Sequence, residues 1–440
     1  MLAVLHRACL KDGAAVLDHK LLTALAERSQ VTLLTVGDVG DYGNVDIVAL
    51  AGDRRSTQAD EARPILDQAI RRASPESIGL PSAPCHFDAV IGSGWTSGRE
   101  AGLLRRTLYP SAIVVNALHT DPRGLGTVSG QPARFRLLTA IHQDVFRESD
   151  LVFAPGPKAA RDARELISEG HATSGPPVHE LIPGVTVPSS TRGSTWSGGT
   201  FDLLMLCRAE DRNKGVIDVA RAVRDLRHRG HDVRLTVRGT PPDRVAAFQA
   251  SMDTETGHSG LVRVLPFTDD RARLDADIDS AHALIVASEN EAYGLVAGEC
   301  AARGTPFLVA RGNGNGFAEL LSEPGGIAGN TGHRFVIEDG GTLSANGNRM
   351  GTGHPDAGPR HRVLARAIAG LMADHPRMTE HTRAIQRSLR AYTPSDMAQA
   401  FAEAVRRVVA GHRDSTRQGP NGRLTTVFRH DRRPTTAPGP

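Results

Sequence analysis

The sequence has few cysteines, no long apolar segment and no leader-like beginning. Its cysteines are far apart and form no C-x-x-C pair, which argues against a disulfide framework or a zinc knot; they are Cys9, Cys85, Cys207 and Cys300. No apolar run approaches the roughly 20 residues of a transmembrane helix, and residues 1–13 have a short apolar run without a basic leader. These absences predict a cytoplasmic protein with no stable membrane anchor.

Lysine is also scarce. Four of the 52 lysines and arginines are lysine, namely Lys11, Lys20, Lys158 and Lys214, and the heavy use of Ala, Gly and Arg fits a GC-rich bacterial genome. The formal net charge of +3 gives no reason to expect nucleic acid as a partner. The sequence has no H-E-x-x-H motif or other tight metal-ligand spacing. We therefore expect a site without a metal and without a bound cofactor.

What the sequence does contain is an alternation of short apolar runs with longer amphipathic ones. The runs predict strands over 1–6, 31–36, 45–50, 89–91, 113–115, 151–154 and 179–182, and then over 203–206, 233–237, 262–265, 283–287 and 306–310. Strands separated by helix-length segments indicate βαβ units and parallel sheets. Two such halves place a ligand cleft between the carboxyl ends of their strands.

The length of 440 residues suggests two or three domains at roughly 150 residues each. We predict an N-terminal Rossmann-like domain over 1–185, a Ser-, Thr- and Gly-rich linker over 186–200, and a C-terminal Rossmann-like domain over 201–392. A helix over 393–410 is expected to pack back on the N-terminal domain, and residues 411–440 are expected to be disordered. The expected fold class is α/β, with two doubly wound domains facing each other across a cleft.

The most informative segment is residues 287–310, ASENEAYGLVAGECAARGTPFLVA. A strand leads into a polar loop, and a helix then opens at Gly294. Backbone N–H groups at the helix start, near Gly294 and Leu295, suit a phosphate, and the helix dipole adds attraction. Glu291 in the loop could accept hydrogen bonds from sugar hydroxyls, and Glu299 on the helix from ribose hydroxyls. Two carboxylates at this spacing are also common by chance, and taken alone they would be surface residues.

This segment resembles the E-x7-E region of the retaining family-4 glycosyltransferases, which have the GT-B fold. The matching positions are Ser288, Glu291, Gly294, Leu295, Glu299, Gly304, Thr305 and Pro306. The departures are Ala292, Tyr293 and Cys300, where the family usually has glycine, phenylalanine and alanine. The resemblance implies that Glu291 contacts the hexose of a donor and Glu299 its ribose. The other expected donor-binding positions of this loop are Asn290, Tyr293, Gly294 and Leu295.

A second segment agrees with the family pattern. Residues 203–222, LLMLCRAEDRNKGVIDVARA, are similar to the family's strand, arginine, short loop, Lys-Gly and helix. The resemblance implies that Arg208 and Lys214 bind the diphosphate, where two cations would neutralise the charge that gathers on the leaving group. Taken alone, Lys214 would be a solvated lysine at a helix start.

The remaining expected contacts lie at strand ends. Residues 263–268 resemble a later strand of the family, which implies that the backbone around Phe267 faces the nucleotide base. Residues 113–122, IVVNALHTDP, resemble the strand-histidine segment beside the reacting sugar, so His119 would position the donor sugar or the acceptor. Gly13 is the expected diphosphate contact, although the family's glycine pair is here glycine-alanine. A single histidine such as His119 is also compatible with a purely structural role.

The resemblance covers residues 1–410 and implies a metal-independent, retaining hexosyltransferase. The expected donor is a nucleotide diphosphate sugar, with a UDP-sugar favoured, and the expected acceptor is a hydroxyl of a small molecule or glycan, such as an aminocyclitol or another natural-product core. Two alternatives stay open, a nucleotide-sugar epimerase of the same architecture and a non-catalytic nucleotide-sugar-binding partner subunit. A sugar phosphorylase is disfavoured because no lysine follows Lys214 to hold pyridoxal phosphate.

Overall fold

The N-terminal half of the chain forms a parallel sheet of seven strands. The structure is a computed structural model, and it describes residues 1–6, 13–37, 39–50, 59–72, 74–82, 87–170, 175–190, 195–339 and 359–417. Strands β1 to β7 span Leu2–Val4, Thr32–Val36, Asp46–Leu50, Ala89–Gly92, Ile113–Ala117, Leu151–Pro155 and Val178–Leu181. Their order in the sheet is β3-β2-β1-β4-β5-β6-β7. The strand order reverses between β1 and β4, which opens a crevice at the carboxyl ends of these strands.

Helices cover both faces of this sheet. Helices α1 to α6 span Gly13–Ala26, Ala59–Arg72, Gly94–Thr107, Pro122–Ser129, Pro132–Arg147 and Gly156–Gly170. Successive side chains of a strand point to opposite faces, so Ala3 joins the apolar cluster under α1, while Leu2 and Val4 join the cluster under α2 and α3. Burial on both faces explains why these strands are short, nearly continuous apolar runs in the sequence.

The C-terminal half repeats this architecture with six parallel strands. Strands β8 to β13 span Phe201–Leu206, Val233–Thr240, Val262–Pro266, Ala283–Val286, Phe307–Ala310 and Val336–Ile337, in the order β10-β9-β8-β11-β12-β13. Helices α7 to α13 span Val216–His228, Val245–Thr256, Arg271–Ser280, Leu295–Arg303, Gly316–Ser322, Arg360–Ala373 and His375–Leu389. The switch point lies between β8 and β11, which places the loops after these two strands side by side.

The chain crosses between the two halves twice, at adjacent points. The Val185 N–H donates to the Tyr392 carbonyl oxygen at 2.9 Å, so the outgoing and returning segments run together. Helix α14, Pro394–Arg417, then packs against α1 and β7 of the N-terminal half. The Phe401 ring of α14 meets the Phe153 ring edge-on, with centroids 5.2 Å apart. The last helix is therefore part of the N-terminal core.

The two doubly wound parallel sheets predicted from the sequence are both present. Strand β13 lies outside the strands predicted from the sequence. Helix α4 forms although its two glycines favour a loop, because Asp121 caps its start by accepting the Arg123 N–H at 2.9 Å and Pro122 occupies its first turn.

The end of the chain also differs from the expectation. Helix α14 continues to Arg417, so residues 411–417 are helical rather than disordered, while residues 418–440 of the predicted tail lie outside the described residues. In the predicted linker, the Trp196 ring packs edge-on against Phe201, which holds this part of the linker on the C-terminal core. No helix within the described ranges has both the length and the apolar character that crossing a membrane requires.

Candidate active site

Three polar side chains meet at the carboxyl end of the C-terminal sheet. The Lys214 Nζ lies 2.7 Å from Glu291 Oε2, and the Ser288 hydroxyl donates to the same oxygen at 2.8 Å. Burial opposes the charged form of both ionisable groups, but the ion pair outweighs it, which raises the pKa of Lys214 and lowers the pKa of Glu291. The site therefore holds an ammonium and a carboxylate side by side at neutral pH.

Asn213 fixes the loop that carries Glu291. Its Oδ1 accepts the Asn290 N–H at 2.9 Å, and its Nδ2 donates to the Asn290 carbonyl at 2.9 Å, as a neighbouring strand would. The Asn213 carbonyl also accepts the Glu289 N–H at 2.8 Å. Because Asn213 directly precedes Lys214 in the chain, these bonds join the lysine loop and the glutamate loop into one rigid unit.

The turn after Lys214 requires glycine. Gly215 has a φ of +68°, and a Cβ at this position would overlap the Ala287 carbonyl oxygen. Gly215 is thus both left-handed and in close contact with the end of β11. This approach sets the lysine loop directly against the glutamate loop.

Arg208 lies beside this pair but is more exposed. Its side chain is 63% exposed, and its Nη2 donates to Asp211 Oδ2 at 2.9 Å. The positive charge of Arg208 acts to lower the pKa of both Lys214 and Glu291, so it disfavours the ammonium form of the lysine and favours the carboxylate form of the glutamate. An exposed guanidinium on a flexible side chain can turn towards a ligand that enters the cleft.

The GNGNG segment after β12 supports the glutamate from its other side. The Glu291 N–H donates to the Gly314 carbonyl at 2.9 Å, and the Gly316 N–H donates to the Glu291 carbonyl at 3.1 Å. Asn315 then caps α11 by accepting the Phe317 N–H at 3.1 Å. The segment therefore acts as a backbone support for Glu291.

The start of α10 faces the start of α1 across the two halves. Gly294 precedes Leu295, the first residue of α10, and the first N–H groups of any helix have no acceptor within the helix. Leu295 packs against apolar clusters of both halves. Gly13, the first residue of α1, is close to it, since a Cβ on Gly13 would lie 3.8 Å from Leu295 Cδ1. The predicted phosphate contacts therefore lie at one junction.

Two predicted residues of the donor loop contact the N-terminal half directly. Tyr293 is buried, and a Cβ on Gly156 would lie 2.7 Å from its ring, so this tyrosine packs between the halves. Asn290 faces α4, where a Cβ on Gly124 would lie 2.6 Å from its Nδ2. Among the described residues, this buried Nδ2 has no hydrogen-bond acceptor. It is a donor that a ligand could use, whereas Tyr293 is a packing residue.

Glu299 lies between cations from the two halves. The Lys20 Nζ of α1 is 2.8 Å from Glu299 Oε1, and the Arg271 Nη1 of α9 is 3.0 Å from Oε2. Burial acts to raise the pKa of Glu299, but these ion pairs lower it. The carboxylate is therefore ionised, and it can accept further hydrogen bonds from hydroxyl groups.

His119 comes from the loop after β5 in the N-terminal half. Its Nε2 lies 3.0 Å from Asp18 Oδ1 on α1, and its ring makes an edge contact with Phe153. The neighbouring His142 is buried, and burial lowers its pKa to about 4. Asp18 thus orients a largely buried His119, while His142 beside it stays neutral.

Phe267 follows β10 and has a half-exposed side chain. Its N–H donates to the Thr240 carbonyl at 2.8 Å. The buried Arg238 holds the preceding residue, because it donates to the Pro266 carbonyl at 3.0 Å and pairs with Asp277. The backbone near the proposed base position is therefore fixed by an ion pair beneath it.

Five of the predicted residues have contacts between the two halves, namely Gly13, Asn290, Tyr293, Leu295 and Glu299. Gly294 precedes Leu295 at the start of α10, Lys214 and Glu291 pair within the C-terminal half, and His119 pairs with Asp18 within the N-terminal half. Arg208 and Phe267 follow β8 and β10 at the same edge of the C-terminal sheet. Four further residues of the site are not among those predicted from the sequence, namely Asp18, Lys20, Asn213 and Arg271. The scarcity of lysine was the one signal that could have singled out Lys20, while the others are recognisable only from their partners in space.

Comparison with known proteins places this site in a family. The family described as Family 4 Glycosyltransferase in conflict systems matches residues 8–401. D-inositol 3-phosphate glycosyltransferase of Corynebacterium diphtheriae is 26% identical over 265 residues, which cover 55% of this chain and 60% of that protein. The enzyme of the same description from Nocardiopsis dassonvillei is 27% identical over 292 residues, covering 62% and 63%. The chain thus spans less than two thirds of the length of these curated relatives.

Solved structures resemble the whole chain. Sucrose-phosphate synthase from Thermosynechococcus elongatus has a TM-score of 0.70 and 17% identity, covering 93% of this chain and 99% of that one. Anabaena HepE in complex with UDP-glucose has a TM-score of 0.63 and 13% identity, covering 92% and 99%. At these identities the likeness speaks for the fold, and it confirms the GT-B architecture. With the family match over nearly its whole length, the chain belongs to the family-4 glycosyltransferases of conflict systems and has the GT-B fold.

Proposed function

We propose that this enzyme transfers a hexose from a UDP-sugar to an acceptor hydroxyl with retention of the anomeric configuration. The observation that carries the proposal is the partly buried Lys214–Glu291 pair, at 2.7 Å, close to the start of α10. Lys214 supplies a cation for the diphosphate, Glu291 a carboxylate for the hexose hydroxyls, and the helix start N–H groups for a phosphate. These are the three kinds of contact that a nucleotide sugar requires.

The reaction places negative charge where the cations lie. As the bond between the anomeric carbon and the diphosphate breaks, the leaving oxygen gains charge, which Lys214 neutralises. Arg208 is exposed enough to turn from Asp211 to the same phosphate. The acceptor hydroxyl attacks from the face that the diphosphate leaves, and its proton passes to a phosphate oxygen. This course retains configuration and needs neither a protein nucleophile nor a metal.

The N-terminal half completes the site. His119, oriented by Asp18 at 3.0 Å, would hold the hexose or the acceptor hydroxyl. The packing of Gly13 on Leu295 and of Gly156 on Tyr293 brings the two halves together over the donor. Closure of this kind excludes water and so favours transfer over hydrolysis.

The named relatives guide the choice of substrates to test. Anabaena HepE was solved with UDP and with UDP-glucose, which supports uridine as the first base to try. The named relatives include a D-inositol 3-phosphate glycosyltransferase, a sucrose-phosphate synthase and a trehalose-6-phosphate synthase. We therefore propose a small polyol or sugar acceptor, and cyclitols and their phosphates belong first in the acceptor screen.

Calorimetric titration with UDP, GDP, ADP and dTDP tests the donor site, on wild type and on Lys214→Ala and Glu299→Ala, with and without EDTA. We expect UDP to bind at micromolar strength, unaffected by EDTA, and to bind much more weakly to both variants. If none of the four binds, or if the variants bind like wild type, the proposed donor site is wrong.

NMR of the product then tests the reaction. A product with the anomeric configuration of the donor supports retention, and an inverted product contradicts it. Conversion of the donor sugar into its epimer without an acceptor would instead favour a nucleotide-sugar epimerase. Nucleotide binding with neither transfer nor donor hydrolysis would favour a non-catalytic subunit.

A further inference from the structure

The described lysines of this chain all lie near the junction of the two halves. Lys214 pairs with Glu291, Lys20 with Glu299, and Lys158 with Asp162 beside Gly314. Nearly all the remaining lysine and arginine residues of the chain are arginine. Lysine differs from arginine in carrying a compact point charge that fits a narrow site between two packed elements. Lys20 is the one of these three whose ion pair joins the N-terminal half to a predicted donor residue.

The position of Lys20 is set by the packing of α1 on α10. Gly13 at the start of α1 faces Leu295 at the start of α10, and Lys20 faces Glu299 further along both helices. Residues seven apart lie on one face of a helix, so Gly13 and Lys20 share the face that meets α10. Lys20 is therefore presented by a rigid helix and not by a loop.

The surroundings of Glu299 show what this ammonium does. Both carboxylate oxygens carry a cation, Lys20 at 2.8 Å on Oε1 and Arg271 at 3.0 Å on Oε2. Arg271 is a half-exposed residue of the C-terminal half, whereas Lys20 comes from the opposite half and is more buried. A carboxylate offers about four lone-pair sites, so two ion pairs leave room for two hydroxyl groups. An ionised carboxylate held at two points is a preorganised acceptor for a vicinal diol.

We propose that Lys20 is a donor-positioning residue, which holds Glu299 oriented for the ribose hydroxyls and so couples nucleotide binding to closure of the two halves. This inference rests on the proposed function, because it assigns the ribose to Glu299. It adds a contribution of the N-terminal half to recognition of the nucleotide. Through Lys20, the ribose site is complete only when the halves are together.

A second ion pair between the halves provides a matched control. Arg161 on α6 makes two hydrogen bonds to Glu319 on α11, at 2.8 and 2.9 Å, and the Arg161 side chain is 51% exposed. This pair also joins the N-terminal half to the C-terminal half, but neither residue contacts the predicted donor site. If Lys20 only fastened the halves together, removing either pair would have a similar effect on nucleotide affinity.

The experiment is a calorimetric titration of wild type, Lys20→Ala, Lys20→Arg, Glu299→Gln, the Lys20→Ala/Glu299→Gln double variant and Arg161→Ala. The probes are UDP and 2′,3′-dideoxy-UDP, which lacks both ribose hydroxyls. We expect Lys20→Ala to weaken UDP binding about 10-fold or more, in keeping with loss of a hydrogen bond to a charged group. Lys20→Arg, which keeps the charge but not the compact shape, should recover only part of it. The double variant should be no weaker than Glu299→Gln alone, and Arg161→Ala should stay close to wild type.

The dideoxy probe separates recognition of the ribose from general attraction. Lys20→Ala should bind it as wild type does, because the hydroxyl groups that Glu299 accepts are missing. An unchanged UDP affinity in Lys20→Ala, an equal loss for both probes, or additive effects of Lys20→Ala and Glu299→Gln would each overturn the inference. If wild type itself binds no nucleotide, the proposed function fails and the role of Lys20 fails with it. If wild type binds UDP and Lys20→Ala does not differ from it, this inference alone fails.

Discussion

The two glutamates of the E-x7-E segment are held in different ways. Glu291 draws its partners, Lys214 and Ser288, from the C-terminal half alone. Glu299 is paired with Arg271 of its own half and with Lys20 of the other half. One acid therefore lies in a site that a single half can build, while the environment of the second depends on both halves.

This difference distinguishes the pair that we expect to act in the chemical step from the pair that depends on closure of the two halves. The Lys214–Glu291 pair is supported from below by Asn213 and by the Gly215 turn, so it is rigid whichever way the halves are arranged. The Lys20–Glu299 pair forms only when α1 meets α10. We expect changes at the first pair to affect both nucleotide binding and the rate of transfer, and changes at the second to affect mainly binding of the nucleotide.

The largest effect is expected from Lys214→Ala. Loss of a charge that stabilises the leaving group should lower kcat about 100- to 1,000-fold, since this is the usual cost of removing one preorganised donor from the transition state. Lys214→Arg keeps the charge but not the compact shape, so its kcat should lie between the kcat of wild type and that of Lys214→Ala. Steady-state transfer rates at saturating donor measure this effect. A greater loss of kcat in Lys20→Ala than in Lys214→Ala would contradict the assignment of the transfer step to the Lys214–Glu291 pair.

Gly215→Ala should be the next largest effect, and it tests whether the first pair depends on its turn. An alanine at 215 must adopt a left-handed φ and also displace the Ala287 carbonyl, so we expect a loss of about 3 kcal/mol in the free energy of unfolding. Gly230→Ala is the matched control, because Gly230 has a φ of +86° with nothing within 4 Å of its Cβ position. It should cost about 1 kcal/mol. Equal losses in urea unfolding would mean that the close contact at Gly215 is unimportant.

Asn213→Ala should have a smaller effect on stability. It removes the two hydrogen bonds between the Asn213 side chain and the Asn290 backbone, which are buried, so we expect a loss of about 2 kcal/mol. Asn213→Asp keeps the acceptor for the Asn290 N–H and loses the donor to its carbonyl. Thermal unfolding and the kcat of both variants measure the effect. If kcat is unchanged while the melting temperature falls, the loop does not need Asn213 to place Glu291.

The fold class could be predicted from the sequence, and the sequence also singled out the acids of the candidate site. Strands buried on both faces appear as apolar runs that are easily recognised, and Glu291, Glu299 and Lys214 lie in segments of distinct pattern. Helix α4 shows the limit, because its glycines argue for a loop and only the Asp121 cap and its packing make it helical. Local preference is overridden there by tertiary contacts.

The pairings between the halves could not be predicted. Lys20 and Glu299 are far apart in the chain, and neither residue carries a local signal of the other. Tyr293 illustrates the same limit, since nothing in the donor loop shows that its ring packs against Gly156 of the other half. Which side of a loop faces the other half is decided by how the halves dock, and that information lies outside any single segment.

The smallest effect is expected at His142 and concerns the pH dependence of stability. At this residue the N-terminal half differs from the C-terminal site. The C-terminal site keeps buried groups charged by pairing them, whereas burial keeps His142 neutral by lowering its pKa to about 4. In the unfolded chain a histidine has a pKa of about 6.5. Above that value neither state is protonated, and as the pH falls below it the unfolded chain takes up a proton that the folded protein refuses. Stability is therefore lost between about pH 6.5 and pH 4.

His142→Gln should remove this component. When the pH falls from 7 to 5.5, protonation of His142 in the unfolded state should lower the unfolding free energy of wild type by about 1 kcal/mol. The variant lacks this histidine and should not show this loss. Urea unfolding of both proteins at the two pH values measures the difference between their slopes, so that other histidines, common to both, cancel. If the unfolding free energies of the two proteins changed equally with pH, His142 would be taking up its proton in the folded state. The N-terminal half would then hold a buried charge beside His119, and in this respect it would resemble the C-terminal site.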